Sequence, residues 1–145
     1  MSVLVDTNVL LRRLESGHPH HRDAVAGTER VIGSGEPVYV AAQNVTEFWA
    51  TATRPPAQNG LGLDVVAAAA AVIRIEQAFA LLPDDPRIYD YWKRLVTLHQ
   101  IIGNRIYDAR LVAVMLVHGI GRILTFNAAD FVRYGIAVLH PSAVP

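Results

Sequence analysis

The stretch "SVLVDTNVLLRRL", Ser2 to Leu14, decides the reading of the chain. Val3, Leu4 and Val5 form a short apolar run. It passes directly into the polar triplet Asp6-Thr7-Asn8 and then into a segment with helical spacing, so it reads as strand, turn, helix. Asp, Thr and Asn all accept the orphan N–H groups of a helix start. Three such residues in a row are more than one helix needs, and a second role for at least one of them has to come from elsewhere in the chain.

Working outward, the strands expected are Val3–Asp6, Pro37–Ala41, Ala78–Leu82, Arg122–Thr125 and Ala137–Leu139. Helices are expected over Asn8–Glu15, His20–Gly33, Asn44–Thr53, Leu63–Gln77, Pro86–His99 and Arg105–His118, with a short one after Asn127. Short apolar strands alternating with helices predict a single α/β domain over residues 1–145, a parallel sheet covered on both faces. Sites in such sheets lie in the crevice outside the carboxyl ends of the strands. Asp6 ends the first strand and Thr125 the fourth, with Asn127 and Asp130 just beyond.

The 145 residues suffice for one sizeable core. A 52% hydrophobic content and a mean hydropathy of +0.26 suggest that a partner covers part of the surface. The longest apolar stretch, Val65 to Ile73, is too short to span a membrane, and no basic-then-apolar leader opens the chain. With no cysteine, disulfides, thiolate metal sites and cysteine nucleophiles are excluded, and a cytoplasmic protein is expected. Thirteen basic residues balance thirteen acidic ones, so net charge predicts no nucleic-acid affinity.

Four carboxylates stand out. Asp6 is explained by capping alone if taken in isolation. Glu47 falls on a helical stripe with Asn44, Thr51 and Arg54, opposite Val45, Phe48, Trp49 and Ala52, and taken alone reads as a solvated glutamate. Asp108 heads the apolar stripe Leu111, Val112 and Met115, where an unpaired charge is costly. A metal ion, the helix N-terminus or Arg105 has to compensate it. Asp130 suits the N3 position of a helix capped by Asn127. If the first and fourth strands are neighbours, all four acids can face one crevice. Clustered carboxylates repel one another unless a cation sits among them, and oxygen-only ligands suit a hard ion such as Mg²⁺ or Mn²⁺.

The motifs "LVDTNVLL" (Leu4 to Leu11), "NVTEFWATATRP" (Asn44 to Pro55), "YDARLVA" (Tyr107 to Ala113) and "LTFNAADF" (Leu124 to Phe131) together resemble the PIN-domain nucleases. Within them they resemble the toxins of VapBC-type toxin–antitoxin pairs, and "TRPPAQNGLGL" (Thr53 to Leu63) looks like a segment of one toxin subgroup. The resemblance implies an α/β/α sandwich with a five-stranded parallel sheet and a Mg²⁺- or Mn²⁺-dependent endoribonuclease. It further implies a cognate antitoxin as partner, RNA as substrate and a homodimer. Its acidic site maps onto Asp6, Glu47, Asp108 and Asp130, supported by Asn8, Thr125 and Asn127. Some relatives carry a carboxylate at the position of Asn127, and Asp130, directly or through water, is favoured to complete the site. Asp6 then binds metal while Thr7 or Asn8 caps the helix and orients the ligands.

Two other functions compete. A haloacid-dehalogenase-like phosphatase also places an Asp after its first strand, but needs a second Asp two residues on, where Asn8 stands, and a nearby Lys. The only lysine is Lys93, in a helix. A catalytically inactive module binding RNA or an antitoxin would have no reason to keep four acids. The "HPHH" run, His18 to His21, reads as a helix opening rather than a metal tract, and His99, His118 and His140 as isolated end residues. Trp92 reads as a helix–sheet contact. Trp49 is a candidate edge of a groove for an antitoxin helix.

Overall fold

Alternation along the first strand separates the molecule into two layers of core. In the computed structural model, which describes all residues from Met1 to Pro145, Val3, Leu4 and Val5 form β1 (Val3–Val5) and are completely buried. Val3 and Val5 point into one apolar cluster and Leu4 into the other, as the period of two requires. Burial on both faces is what makes the run continuously apolar.

The first cluster lies beneath α1 (Thr7–Leu14), α2 (His21–Gly33), α3 (Ala42–Thr53) and α4 (Val65–Ala78), which contribute Leu10, Val31, Phe48 and Ile75. The second lies beneath α5 (Arg87–Leu98) and α6 (Ile106–His118), with Ile88, Leu111 and Met115. The remaining strands are β2 (Val38–Ala41), β3 (Ala80–Leu82), β4 (Arg122–Leu124) and β5 (Ala137–Leu139). The sheet is five-stranded in the order β3-β2-β1-β4-β5, and every pairing is parallel. The expected α/β/α sandwich is therefore the observed fold. No helix is long and apolar enough to cross a membrane.

The strand order positions the site. The chain winds from β1 outward to β3, then returns to lay β4 on the other side of β1, so the β1/β4 boundary is a topological switch point. Val5 pairs with Leu124, and the next residues, Asp6 and Thr125, emerge side by side at the carboxyl edge. The Asp6 amide still donates to the Leu124 carbonyl at 3.0 Å, extending the ladder to the site itself.

Differences from the expected boundaries have local causes. Helix α3 starts at Ala42 rather than Asn44, because Asn44 sits one turn in and its Oδ1 accepts the Ala41 amide at 2.8 Å. Helix α4 starts at Val65 rather than Leu63, because Asp64 caps it, accepting the Ala67 amide at 2.8 Å. It continues through Ala78, so β3 begins at Ala80 and not at Ala78. The segment after Asn127 is not an α-helix but two 3-10 turns, Ala128–Asp130 and Val132–Tyr134, ended by Gly135 in the left-handed region. In the loop after α3, a Cβ on Gly60 would meet the Arg54 carbonyl at 1.9 Å, so only glycine closes that turn.

Candidate active site

Asp6 ends the ladder in extended conformation and caps α1 itself, its Oδ1 accepting the Thr7 amide at 2.7 Å. The expectation that Thr7 or Asn8 would supply the cap is therefore corrected: as the last extended residue, only Asp6 has the backbone geometry of an N-cap. Its other oxygen, Oδ2, accepts the Thr125 hydroxyl at 2.7 Å and the Asn8 amide at 3.2 Å. Thr125 is wholly buried, and its Oγ1 also accepts from Asn8 Nδ2 at 3.1 Å and from the Asn127 amide at 3.0 Å. Asn8 Oδ1 accepts the Phe126 amide at 3.2 Å, which ties the start of α1 to the end of β4. The polar triplet is thus used three ways: Asp6 caps, Asn8 braces Asp6 and Thr125, and Thr7 serves the next acid.

That acid is Glu47. Its Oε1 accepts the Thr7 hydroxyl at 3.4 Å and Gln43 Nε2 at 3.3 Å. Gln43 also donates to the Tyr107 carbonyl at 2.8 Å, and its own carbonyl accepts Arg110 Nη1 at 2.9 Å. Arg110 is held in turn by Asp84 at 3.1 Å. Glu47 is consequently not a solvated glutamate. It is half-buried, and its stripe neighbour Asn44 is fully buried, donating to Thr7 Oγ1 at 3.1 Å.

Asp108 lies in the first turn of α6, half-buried, with no hydrogen bond offsetting its loss of solvent. Arg105, one candidate for its compensation, instead forms a pair with Asp130 at 3.4 Å. Asp130 is the last residue of the first 3-10 turn. Asn127 does not cap that turn through its side chain; only its backbone amide reaches the site, through Thr125. The tight turn leaves no α-helical first turn for an N3 acid to serve.

Burial pushes the Asp6 carboxyl from 3.8 to about 6, against the bonds from Thr125 and the Thr7 amide, with Glu47 and Asp130 adding repulsion. Asp108 is likewise pushed to about 6, first by burial, then by Asp130 and Asp6, with a weaker opposing pull from Arg105. Glu47 is raised by burial and by Asp108, against the bond from Gln43. Each of the four acids therefore repels at least two of the others. No three acid or imidazole groups stand at the separations of a formed coordination cluster. The donor chemistry nevertheless fits a hard divalent cation: carboxylates only, mutually repelling, two of them reluctant to ionise without a positive charge nearby.

Sequence reasoning missed Gln43 and Arg110 beside the acids; Thr7, expected to cap or orient, donates to Glu47. The signal for Gln43 is its position four residues before Glu47 on one helix face; Arg110, two residues after Asp108 and on another face, carries none. The histidines were also underrated: His140, read as isolated, packs edge-on to Phe126 at 5.3 Å. The phosphatase pattern finds no support, since Asn8 braces Asp6 and Lys93 is exposed on α5. Trp92, expected as a helix–sheet contact, packs on the second apolar cluster, but its polar contact is to a helix, the indole N–H donating to the Ile106 carbonyl of α6 at 3.0 Å.

A buried Asp thus stands at the switch point, and acids from α3, α6 and the turn after β4 repel it or one another. The chain belongs to the PIN domain family, whose pattern matches residues 3–137. Its fold is similar to that of VapBC-1 from nontypeable Haemophilus influenzae, at 14% identity over 98% of this chain and 99% of that one, with a TM-score of 0.73. It is similar also to Mycobacterium tuberculosis VapC20, a toxin that cleaves the sarcin–ricin loop, at 23% identity over 99% of both chains and a TM-score of 0.69. A third similar structure is VapBC2 from Rickettsia felis bound to promoter DNA, at 12% identity over 96% of this chain and 98% of that one, with a TM-score of 0.71. Among curated protein sequences none matches.

Proposed function

We propose that the protein is a Mg²⁺- or Mn²⁺-dependent endoribonuclease, the toxin of a type II toxin–antitoxin pair, acting in the cytoplasm and silenced by its antitoxin. The observation that supports it most is the ring of mutual repulsion joining Asp6, Glu47, Asp108 and Asp130 at the switch point. These four side chains would hold the ion. When bound, it would polarise a phosphate oxygen and make a water nucleophilic at neutral pH.

The chain's own groups do the rest. Thr125 and Asn8 hold Asp6 Oδ2, the Thr7 amide holds Oδ1, and Gln43 holds Glu47, so neither carboxylate has to reorganise when charge develops on the phosphate. Asp6 and Asp108, protonated in part at neutral pH, would release their protons as the cation arrives. Arg105 holds Asp130 from outside the ring.

An antitoxin needs surface as well as chemistry. A hollow of about 220 Å³ between α1, α3 and α4 has Leu10, Leu14, Phe48 and Ile75 along it and Arg13 and Arg74 beside them. It suits an apolar segment carrying acidic side chains. Trp49 does not line this hollow; it is half-buried on the next face of α3 and remains our candidate for a second antitoxin contact. A homodimer would cover exposed apolar residues such as Val65, Val66 and Ile73 on α4 or Tyr89 and Leu98 on α5.

The test is RNA cleavage by purified protein with Mg²⁺ or Mn²⁺ against the same protein in chelator. Cleavage that persists in chelator, or that survives Asp108→Asn, overturns the reading. For the partner, Trp49→Ala should raise the antitoxin dissociation constant while the melting temperature stays within a few degrees; a large melting loss with intact affinity would place Trp49 in the fold instead.

A further inference from the structure

We infer that a row of aromatic and imidazole rings beside the carboxylate crevice is a nucleotide subsite for single-stranded RNA, with a base stacked at His20 and Phe126 and a neighbouring phosphate seated by His18, His21 and Arg22. This deepens the nuclease reading and rests on it for the identity of the polymer.

Phe126 follows Thr125, and its amide is bonded to Asn8, so its ring is anchored to the same corner that holds Asp6. His20, in the loop between α1 and α2, stacks on it with centroids 4.6 Å apart and planes 16° from parallel. His18 meets His20 edge-on at 5.3 Å, and His140 meets Phe126 edge-on at 5.3 Å. Four rings are therefore in contact in succession, His18 to His20 to Phe126 to His140, a succession that joins the loop to the residue that follows Thr125. The His20 side chain is exposed and supplies no cap to α2, although it occupies the N-cap position. A Ser, Thr or Asp would serve the helix better there, so helix stability does not account for an imidazole.

Imidazole polarity at the loop end of the row suits a phosphate. His18 Nδ1 accepts the His20 amide at 3.0 Å, which leaves its ring proton on Nε2 as a donor. His21 is fixed by its Nδ1 proton, given to the Arg12 carbonyl at 2.9 Å. These two rings, with Ser16, Pro19 and the exposed Arg22, line a hollow of about 400 Å³ that has one acid, Asp23. The four acids, which repel one another, repel phosphates as well. An RNA strand reaching them has to be gripped by adjacent groups, and stacking rings interleaved with cationic donors are the usual solution for unpaired nucleic acid.

The experiment uses the full chain carrying Asp108→Asn in chelator, so that binding is read without cleavage. The probe is a single-stranded oligoribonucleotide with 2-aminopurine, whose fluorescence reports stacking. His20→Ala should raise the dissociation constant about tenfold and reduce the quenching, and His20→Phe should restore both. Arg22→Ala should lower the slope of log affinity against log salt by about 0.7. Unchanged affinity and quenching in His20→Ala overturn the subsite and leave the nuclease reading intact. Absence of metal-dependent cleavage by the unsubstituted protein, with His20-dependent binding retained, overturns the nuclease reading and supports the subsite. A His20→Ala protein whose lost affinity follows a lowered melting temperature, with no recovery in His20→Phe, reduces His20 to a cover for Phe126 and overturns the subsite.

Discussion

Asp6 and Asp108 are both pushed to about 6, chiefly by burial, but the groups around them differ. Asp6 is the more deeply buried and accepts bonds from the Thr7 amide, the Thr125 hydroxyl and the Asn8 amide. Asp108 is only half-buried, accepts none, and is pressed by Asp130 and Asp6. One acid is part of the scaffold that joins β1, α1 and β4. The other is a charge the fold tolerates without using. In a metal site the first kind fixes geometry, and the second is set right only when the cation is present.

Breaking each acid should separate these roles most clearly. Asp6→Ala should abolish cleavage and also destabilise the metal-free protein by about 2–4 kcal/mol, because the cap is lost and buried Thr125 keeps no acceptor. Asp108→Asn should abolish cleavage equally while leaving the metal-free fold as stable or more so, since only repulsion is removed. Denaturant titration in chelator beside an RNA-cleavage assay checks both. Equal destabilisation by the two variants would erase the distinction.

Acid should sharpen the same contrast. Both folded-state pKa values lie above the unfolded 3.8, so the stability these groups contribute is fully present below about 3.8 and is lost as pH rises through about 6. For Asp6 the change is roughly 3 kcal/mol. The metal-free protein should therefore melt higher at pH 5 than at pH 7.5. Asp85 works the other way: Arg87 holds it at about 2, and its contribution is lost as pH falls from about 4 to about 2. Asp108→Asn should flatten the rise between pH 7.5 and 5 without removing it, because Asp6 remains. Thermal melts across this range in chelator decide it, and a protein less stable at pH 5 than at 7.5 refutes the assignment.

Cation binding should stabilise through the same groups. At one hundred times its dissociation constant, Mg²⁺ or Mn²⁺ should add about 2.7 kcal/mol, seen as a raised melting temperature that Asp108→Asn largely removes. No change at saturating metal would mean that the four acids share no ion.

The fold was legible because its signals are local and repeated. The run Val3 to Val5, buried on both sides, and the regular succession of strand and helix require the layered parallel sheet. Pairing of the first and fourth strands, entertained only as a condition, is what gathers Asp6 and Thr125. Among the four acids only Asp108 stands out by mismatch with its neighbours; Asp6, Glu47 and Asp130 each have an ordinary reading alone and join it through strand position and the resemblance. The bracing was not legible. Gln43 bonds groups on α3 and α6, and Asn8 reaches residues at 125 and 126. Such contacts depend on register between elements distant in sequence, and helical spacing carries no trace of them.

Gln43 offers the smallest and most discriminating test. It is nearly buried between α3 and α6, touching Glu47, the Tyr107 carbonyl and Arg110 at once. If it serves to position Glu47, Gln43→Leu should weaken metal affinity about tenfold, as loss of a supporting partner typically does, while cleavage at saturating metal falls less. A merely structural strut predicts otherwise. Losing the bonds to Tyr107 and Arg110 would then lower the metal-free melting temperature and leave the metal dissociation constant unchanged. Calorimetric metal titration and a melt in chelator on the same variant distinguish the two. Because Asp6 keeps its own bonds from Thr125 and Asn8, the expected loss is partial: Gln43 supports one acid of four, and Asp108 accepts no bond that could share the effect.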